Sequence, residues 1–461
     1  MKRDEIQSCL DEIYKKYQLP GVSVAIVYQG KVDYFIINNE ELNSFSLHEN
    51  TKFGIGCCTK AFVASVAAIV FQEHGLDFDM PIREYYPIIK FYDSDYQKNI
   101  TLKDLLAHTT GFSKQNHSFY FPLNIEEKLL HIYEMYAPVT KLRTNFQYNN
   151  FSYLLVGLIL EYITGIQLEE LLKRKIFLPL GMECTGFGHD KMDFTDFAIP
   201  HQITPKDDLY RVDNHKIYYG GAAGGLFSTI ADLSRWLLEL LDDKNSKRIL
   251  KEQIIKCITS AVVMGTEKGT NYLSAPFYAM GWYGRNFKGV PMIYHEGMQI
   301  GYTCMISYIP QSGIGIIAMT NVHNHVAPQE IAYSIYDILL RKEKTNWYRF
   351  FKVNRLFLKE TQEKQKKEFV EKYSILGVNK MEKKQIFGSY TNHLLGKLLI
   401  DICENDYILK INEVVFHFSH YMKNIYTADI YGSEILLAFS CNKIVIPIEC
   451  YENPTIYIKV N

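Results

Sequence analysis

The sequence has no CxxC pair, no excess of charge of either sign, no internal repeat, no low-complexity tract and no long apolar run. Each absence removes a class of protein. The nine cysteines (Cys9, Cys57, Cys58, Cys184, Cys257, Cys304, Cys403, Cys441 and Cys450) are odd in number and scattered, which excludes zinc-ribbon and thioredoxin-type sites and fits a reducing compartment. With 50 Lys and Arg against 51 Asp and Glu the net charge is −1, without the basic excess of a nucleic-acid binder. The longest apolar stretch, Ala61–Phe71, is too short to cross a bilayer. The opening residues MKRDEIQSCLDEIYKKY are charged and amphipathic, unlike a signal peptide with its apolar core. The expectation is a cytoplasmic protein with no membrane segment, no nucleic-acid partner, no metal and no cofactor.

What is present reads as two or three domains: 461 residues, 47% hydrophobic and 22% charged, ample for an apolar core that needs no staples. Residues 1–18 read as an amphipathic helix, followed by hairpin strands Val22–Tyr28 and Lys31–Ile37 around Gly30. Thr59–Glu73 is apolar on most sides, as a buried helix requires, and helical periodicity returns at 152–163, 167–177, 229–242 and 326–341. Strand-like runs lie between the last two, at Met280–Trp282, Met292–Tyr294, Tyr302–Tyr308 and Gly315–Thr320. Strands at both ends with helices between them predict an α/β domain over 1–340 whose sheet joins distant parts of the chain. A charged helical connector is expected over 341–384. Short alternating runs over 385–461 (KLLIDI, YILKI, VVFHFSHY, ILLAFS, KIVIPIE, TIYIKV) predict a small antiparallel β-barrel-like domain.

Three short motifs could carry chemistry. In Phe53-Gly-Ile-Gly-Cys57-Cys58-Thr59-Lys60 a nucleophile and a lysine three residues on share one helix face. The helix N-terminus favours a thiolate, and burial of the lysine would make it a base. Tyr148-Asn149-Asn150 opens an apolar helix; a phenol can relay a proton and an amide can hold a carbonyl. His295-Glu296-Gly297 leads toward the strand GYTCMISYIP, where a glycine lets substrate backbone lie close and an edge offers N–H groups to an oxyanion. Each motif alone is weak: Cys57 would pass as a small buried residue beside its twin, Tyr148 as a core aromatic and His295 as a satisfied polar side chain.

In this order, the motifs resemble the serine-x-x-lysine, tyrosine-x-asparagine and lysine/histidine-x-glycine signatures of the serine β-lactamase and penicillin-binding-protein superfamily, nearest its class C-like branch of D-aminopeptidases, esterases and transacylases. Segments Leu19–Ala25, Ile100–Gly111, Leu178–Met182 and Ala223–Thr229 are similar too, so the resemblance covers about residues 8–340. The terminal β-domain resembles, more loosely, the lipocalin-like domains appended to such proteins. The resemblance implies an antiparallel sheet flanked by helices plus an all-α lobe. It implies Cys57 as nucleophile, Lys60 as its base and Tyr148 as proton relay. Asn150 would orient the substrate amide, and the N–H groups of Cys57 and Met298, beyond Gly297, would form the oxyanion hole. His295 takes the place of the family's lysine or histidine beside the tyrosine, and His108 braces a loop.

The departure is Cys57, where the family has serine. A thioester intermediate favours attack by amines, so acyl transfer joins hydrolysis as an expected activity on an ester, thioester or peptide-like amide, including a carrier-bound intermediate of secondary metabolism. Two other readings stand beside it: an inactive cleft kept for binding or scaffolding, and a serine hydrolase carrying an engineered serine-to-cysteine change. Phe119, Tyr120, Phe121, Tyr210, Tyr218 and Tyr219 suit an apolar or peptide-like substrate and are equally well explained by packing. The terminal domain is expected either to cover the cleft or to mediate homodimerisation.

Overall fold

In the computed structural model the described residues are 2–112, 129–130, 133–134, 137–188, 194–203, 208–212, 221–242, 248–374, 383–392, 396–403, 406–411, 414–430, 433–440, 442–447 and 455–460. They form two compact units, the first running to 112 and from 133 to 347, the second comprising 129–130 and 348 onward.

The first unit contains helices α1 (Arg3–Tyr17), α2 (Thr59–His74), α3 (Asn150–Thr164), α4 (Ile230–Leu241) and α5 (Ala327–Leu339). Its sheet contains β1 (Gly21–Tyr28), β2 (Lys31–Asn38), β3 (Val263–Met264), β4 (Phe277–Tyr278), β5 (Tyr283–Phe287), β6 (Val290–Gln299), β7 (Tyr302–Ile309) and β8 (Ile314–Thr320). The strand order is β2-β1-β8-β7-β6-β5-β4-β3. Every neighbouring pair is antiparallel, and β1 and β8, from the two ends of the unit, pair from Val22↔Thr320 to Tyr28↔Ile314. Helices cover both faces. Leu237 and Leu241 of α4 crowd Gly315, while Tyr336 of α5 donates to Ser307 on the face opposite. That double burial is why β1, β7 and β8 are apolar almost throughout instead of alternating.

Two expectations need correction. Met280–Trp282 is a turn, not a strand. Gly281 has φ +80°, and a Cβ there would lie 2.6 Å from the Lys60 carbonyl, so this apolar segment covers the start of α2 while the ladder partners are β4 and β5 on either side. The apolar run at Ala61–Phe71 also belongs to a longer element. Gly56–His74 is long and apolar enough to cross a bilayer by length and composition, yet every residue from Thr59 to Phe71 is buried inside the fold. It is a core helix.

The second unit has a long helix, α6 (Trp347–Tyr373), and a closed eight-stranded barrel. The barrel strands are β9 (Gly388–Asn392), β10 (Gly396–Cys403), β11 (Asp406–Ile411), β12 (Val414–Met422), β13 (Ile425–Ile430), β14 (Ser433–Ser440), β15 (Lys443–Ile446) and β16 (Thr455–Lys459). Each pairs with the next, and β9 closes on β16 at Tyr390↔Lys459. Two strands carry no alternating signal, GSYTN and IYTADI; closure supplies the partners that their sequences do not advertise. β15 stops before Pro447, which has no N–H for the ladder. Phe369 of α6 joins Ile425, Leu436, Ala438 and Val445 in the core of this unit.

Candidate active site

The site lies where β6 meets the turn that starts α2. Cys57 is the middle residue of a 3-10 turn, Gly56–Cys58. The turn is held by Thr59, whose hydroxyl donates to the Gly56 carbonyl (2.6 Å) and accepts from the Leu226 amide (3.1 Å). The twin cysteines have different fates. Cys57 is half-buried, whereas Cys58 is fully buried and its thiol donates to the His295 carbonyl at 3.3 Å. Burial pushes the Cys58 thiol well above its ordinary value, so it packs as a neutral small hydrophobe.

Backbone meets backbone at this corner. β6 pairs with β5 only up to Tyr294 but with β7 as far as Gln299, so among the described strands one edge of β6 opens from His295 onward. A Cβ on Gly297 would lie 1.8 Å from the Ile55 carbonyl oxygen, and one on Gly56 (φ +50°) would lie 2.3 Å from the Met298 carbonyl oxygen. Only glycine fits at either position. The close approach brings the backbones of Cys57 and Met298 into one corner, while the Met298 side chain is exposed.

Lys60 is fully buried one helical turn from Cys57. Its ammonium nitrogen donates to Asn150 Oδ1 at 2.8 Å and to the Ala223 carbonyl at 2.5 Å, and Cys57 is the titratable group acting on it most strongly. Two of the three positions on nitrogen are thus occupied by fixed acceptors. Burial, the largest effect, holds Lys60 below its ordinary value, so the neutral amine is accessible one helical turn from the thiol. Burial pushes the Tyr148 phenol well above the usual range, with Cys57 the next cause. The ring lies 4.8 Å from the Lys60 nitrogen.

Asn149 caps α3 by accepting from the Ser152 amide, which leaves Asn150 as the first helical residue, turned to Lys60. His108, at φ +58°, supports this segment. Its carbonyl accepts from Gln147, its Nδ1 accepts from the Asn149 amide at 3.1 Å, and its ring lies 4.4 Å from that of Tyr148. His295 is buried, with Nε2 3.2 Å from the Tyr278 hydroxyl and Nδ1 2.7 Å from the Glu296 carbonyl. Burial first and the Lys60 charge second lower its pKa to about 3.

The structure therefore brings Lys60 and Asn150 into a hydrogen bond, with the Tyr148 ring 4.8 Å from the Lys60 nitrogen, Cys57 one helical turn away, and His295, Gly297 and Met298 on the adjoining strand. Sequence reasoning missed the Ala223 carbonyl, Tyr153, Tyr278 and Tyr283. Tyr153 lies 5.2 Å from the Lys60 nitrogen, and Tyr283 lies 4.5 Å from Tyr278 and 5.3 Å from His295, ring to ring. The Ala223–Thr229 likeness was the available signal for the first; the tyrosines carried none. Of the aromatics set aside for substrate, Tyr210 donates to Gln202, and Phe119, Tyr120, Phe121, Tyr218 and Tyr219 lie outside the described residues.

Comparison with known proteins gives consistent results. The Beta-lactamase family model matches residues 6–339. The chain is 23% identical over 361 residues to an unguisins hydrolase of Aspergillus campestris, covering 72% of this chain and 66% of that protein. It is 23% identical over 339 residues to Protein flp of Staphylococcus aureus, covering 72% and 65%. It thus spans just under two thirds of the length of these relatives. In fold it is similar to the octameric penicillin-binding protein homologue from Pyrococcus abyssi (TM-score 0.66, 22% identity, 99% of this chain and 100% of that one). It is also similar to a penicillin binding protein from Bacillus halodurans (TM-score 0.58, 18% identity, 71% and 98%).

Proposed function

The chain belongs to the beta-lactamase family, and from that premise we propose that it forms an acyl-enzyme on Cys57, acting on an ester, thioester or peptide-like amide. The observation that carries this reading is the fully buried Lys60 nitrogen, one helical turn from Cys57, anchored by Asn150 and the Ala223 carbonyl. Lys60 takes the thiol proton as sulfur attacks the acyl carbon. The C–S bond forms and the N–H groups of Cys57 and Met298 hold the oxyanion. Collapse breaks the bond to the leaving group, which receives the proton from Lys60 through Tyr148. Asn150, whose Oδ1 holds Lys60, orients the substrate amide. Water or an amine then cleaves the thioester.

A hydrolase-like activity is supported by the family and by the hydrolase among the relatives. Transfer to amines, the finer reading, rests on sulfur at position 57 and on thioester chemistry. We place the substrate among small or peptide-like acyl compounds, free or carrier-bound. Intact-protein mass spectrometry tests the reading with p-nitrophenyl esters, N-acetylcysteamine thioesters, D-amino-acid amides and a penicillin. The expected result is an adduct on Cys57 that an added amine clears faster than water does. No adduct with any donor, while iodoacetamide labels Cys57 at an unexceptional rate, overturns it; an adduct that amines do not discharge leaves a hydrolase.

A further inference from the structure

We propose that Tyr278 is a positioning residue of the Cys57 site, whose hydroxyl fixes His295 as a neutral ring with its proton on Nδ1. The inference rests on the catalytic reading for its consequence, but its geometry stands independently. The carbonyl of Glu296, 2.7 Å from Nδ1, can only accept, so Nδ1 carries a proton. The opposite tautomer would set a bare nitrogen against a carbonyl oxygen at that distance. Nε2 then offers a lone pair, and its partner at 3.2 Å is the Tyr278 hydroxyl, fully buried.

The neighbouring phenol cannot reverse this direction. Tyr153 is the phenol that acts most strongly on Tyr278, and its own proton goes to the Leu106 carbonyl at 2.7 Å. Tyr278 therefore receives no proton from Tyr153, and its own serves Nε2, which would otherwise be a buried acceptor without a donor. Three protons in this chain match three bonds: Tyr153 to Leu106, Tyr278 to His295, His295 to Glu296.

Among the described residues, the titratable groups facing the ring are Lys60 from α2, Tyr278 from β4 and Tyr283 from β5. Cys58 engages the His295 carbonyl, and Glu296 is hydrogen-bonded to Gln329. None supplies a negative charge in contact with the ring that would favour an imidazolium. His295 therefore does not act as a second cation beside Cys57. Its Nδ1–H instead ties down the Glu296 carbonyl, and so the peptide that leads into Gly297 and Met298. Loss of the Tyr278 hydroxyl frees the tautomer and loosens that peptide.

The test is long-range proton–nitrogen NMR of the full chain, which needs no substrate. Native His295 is expected to show Nδ1 protonated and Nε2 bare, unchanged from about pH 8 to pH 5, through the ordinary histidine range. In Tyr278→Phe the ring, still buried, is expected to stay neutral but to lose its single tautomer, its two nitrogen shifts moving toward each other. Acylation of Cys57 in that variant should lose about tenfold in kcat/KM, the worth of one buried hydrogen bond, with KM changed less than kcat. Tyr153→Phe, which keeps the Tyr278–His295 bond, should leave the ring signal native. A native ring protonated on Nε2, or titrating near 6.5, overturns the proposal even if Tyr278→Phe fails to fold. An unchanged ring in a folded Tyr278→Phe overturns it as well. Absence of acylation with the predicted ring signals would instead refute the catalytic reading and leave the tautomer assignment intact.

Discussion

Gly297→Ala tests the backbone corner on which the site depends. The added methyl would lie 1.8 Å from the Ile55 carbonyl oxygen and 3.0 Å from the Cys58 nitrogen, whereas a carbon–oxygen contact settles at about 3.3 Å. β6 and the turn must part by about 1.5 Å, and both colliding groups are backbone, so no side chain can swing away. Overpacking of this kind costs about 1–3 kcal/mol, a fall of several degrees in Tm for a unit of this size. The separation also pulls the Met298 backbone from Cys57, and a displacement of about 1 Å in a catalytic constellation costs on the order of 10²-fold in rate. Acyl-enzyme formation, followed by intact mass under single-turnover conditions, should fall by that factor, and differential scanning calorimetry should record the drop in Tm. Gly157→Ala is the control. Its Cβ meets only the Ala222 and Leu168 side chains, at 3.2 Å, so the acylation rate should stay within about twofold while α3 gains helix propensity. A Gly297→Ala protein that acylates and melts like the native one would refute the close packing of strand on turn.

Three further outcomes are expected. Lys60→Met should slow acylation by about 10²–10⁴-fold; in the native enzyme the rate should rise with pH along a limb below the ordinary lysine value of about 10.4, because burial favours the neutral amine, and that limb should vanish in the variant. His201 and His295 are buried neutral, with burial lowering them to about 4 and about 3. The unfolded chain binds their protons near about 6.5 and the folded chain does not, so stability is retained above that value and lost as pH falls below it. Each histidine should remove about 2–3 kcal/mol between pH 6.5 and 4.5, read from urea midpoints, with a shallower slope in His201→Asn. Phe369→Ala removes a buried aromatic from the core of the second unit and should destabilise that unit by about 3–5 kcal/mol, measured as loss of its calorimetric transition.

The sequence by itself determined the elements with strong local signals. Helices α1 to α5 follow apolar periodicity, the β1–β2 hairpin follows its Gln29-Gly30 turn at positive φ, and the Cys57–Lys60 pair follows helical spacing. All of these depend on residues close in the chain, where geometry leaves few choices. It did not determine that Met280–Trp282 would turn over α2, or that GSYTN and IYTADI would be strands, because closure and burial by distant segments decided those. The same division runs through the site. Local spacing aligned Cys57 with Lys60, but only tertiary packing separated Cys57 from Cys58 by exposing one and burying the other. Packing also brought the Ala223 carbonyl, 163 residues away, onto the lysine nitrogen, and set Tyr278 against His295. A tyrosine carries no periodicity or spacing that marks it as a hydrogen-bond donor to a particular ring. Its direction of donation follows from which carbonyls the fold places at the two ends of the chain, and that is a property of the assembled structure.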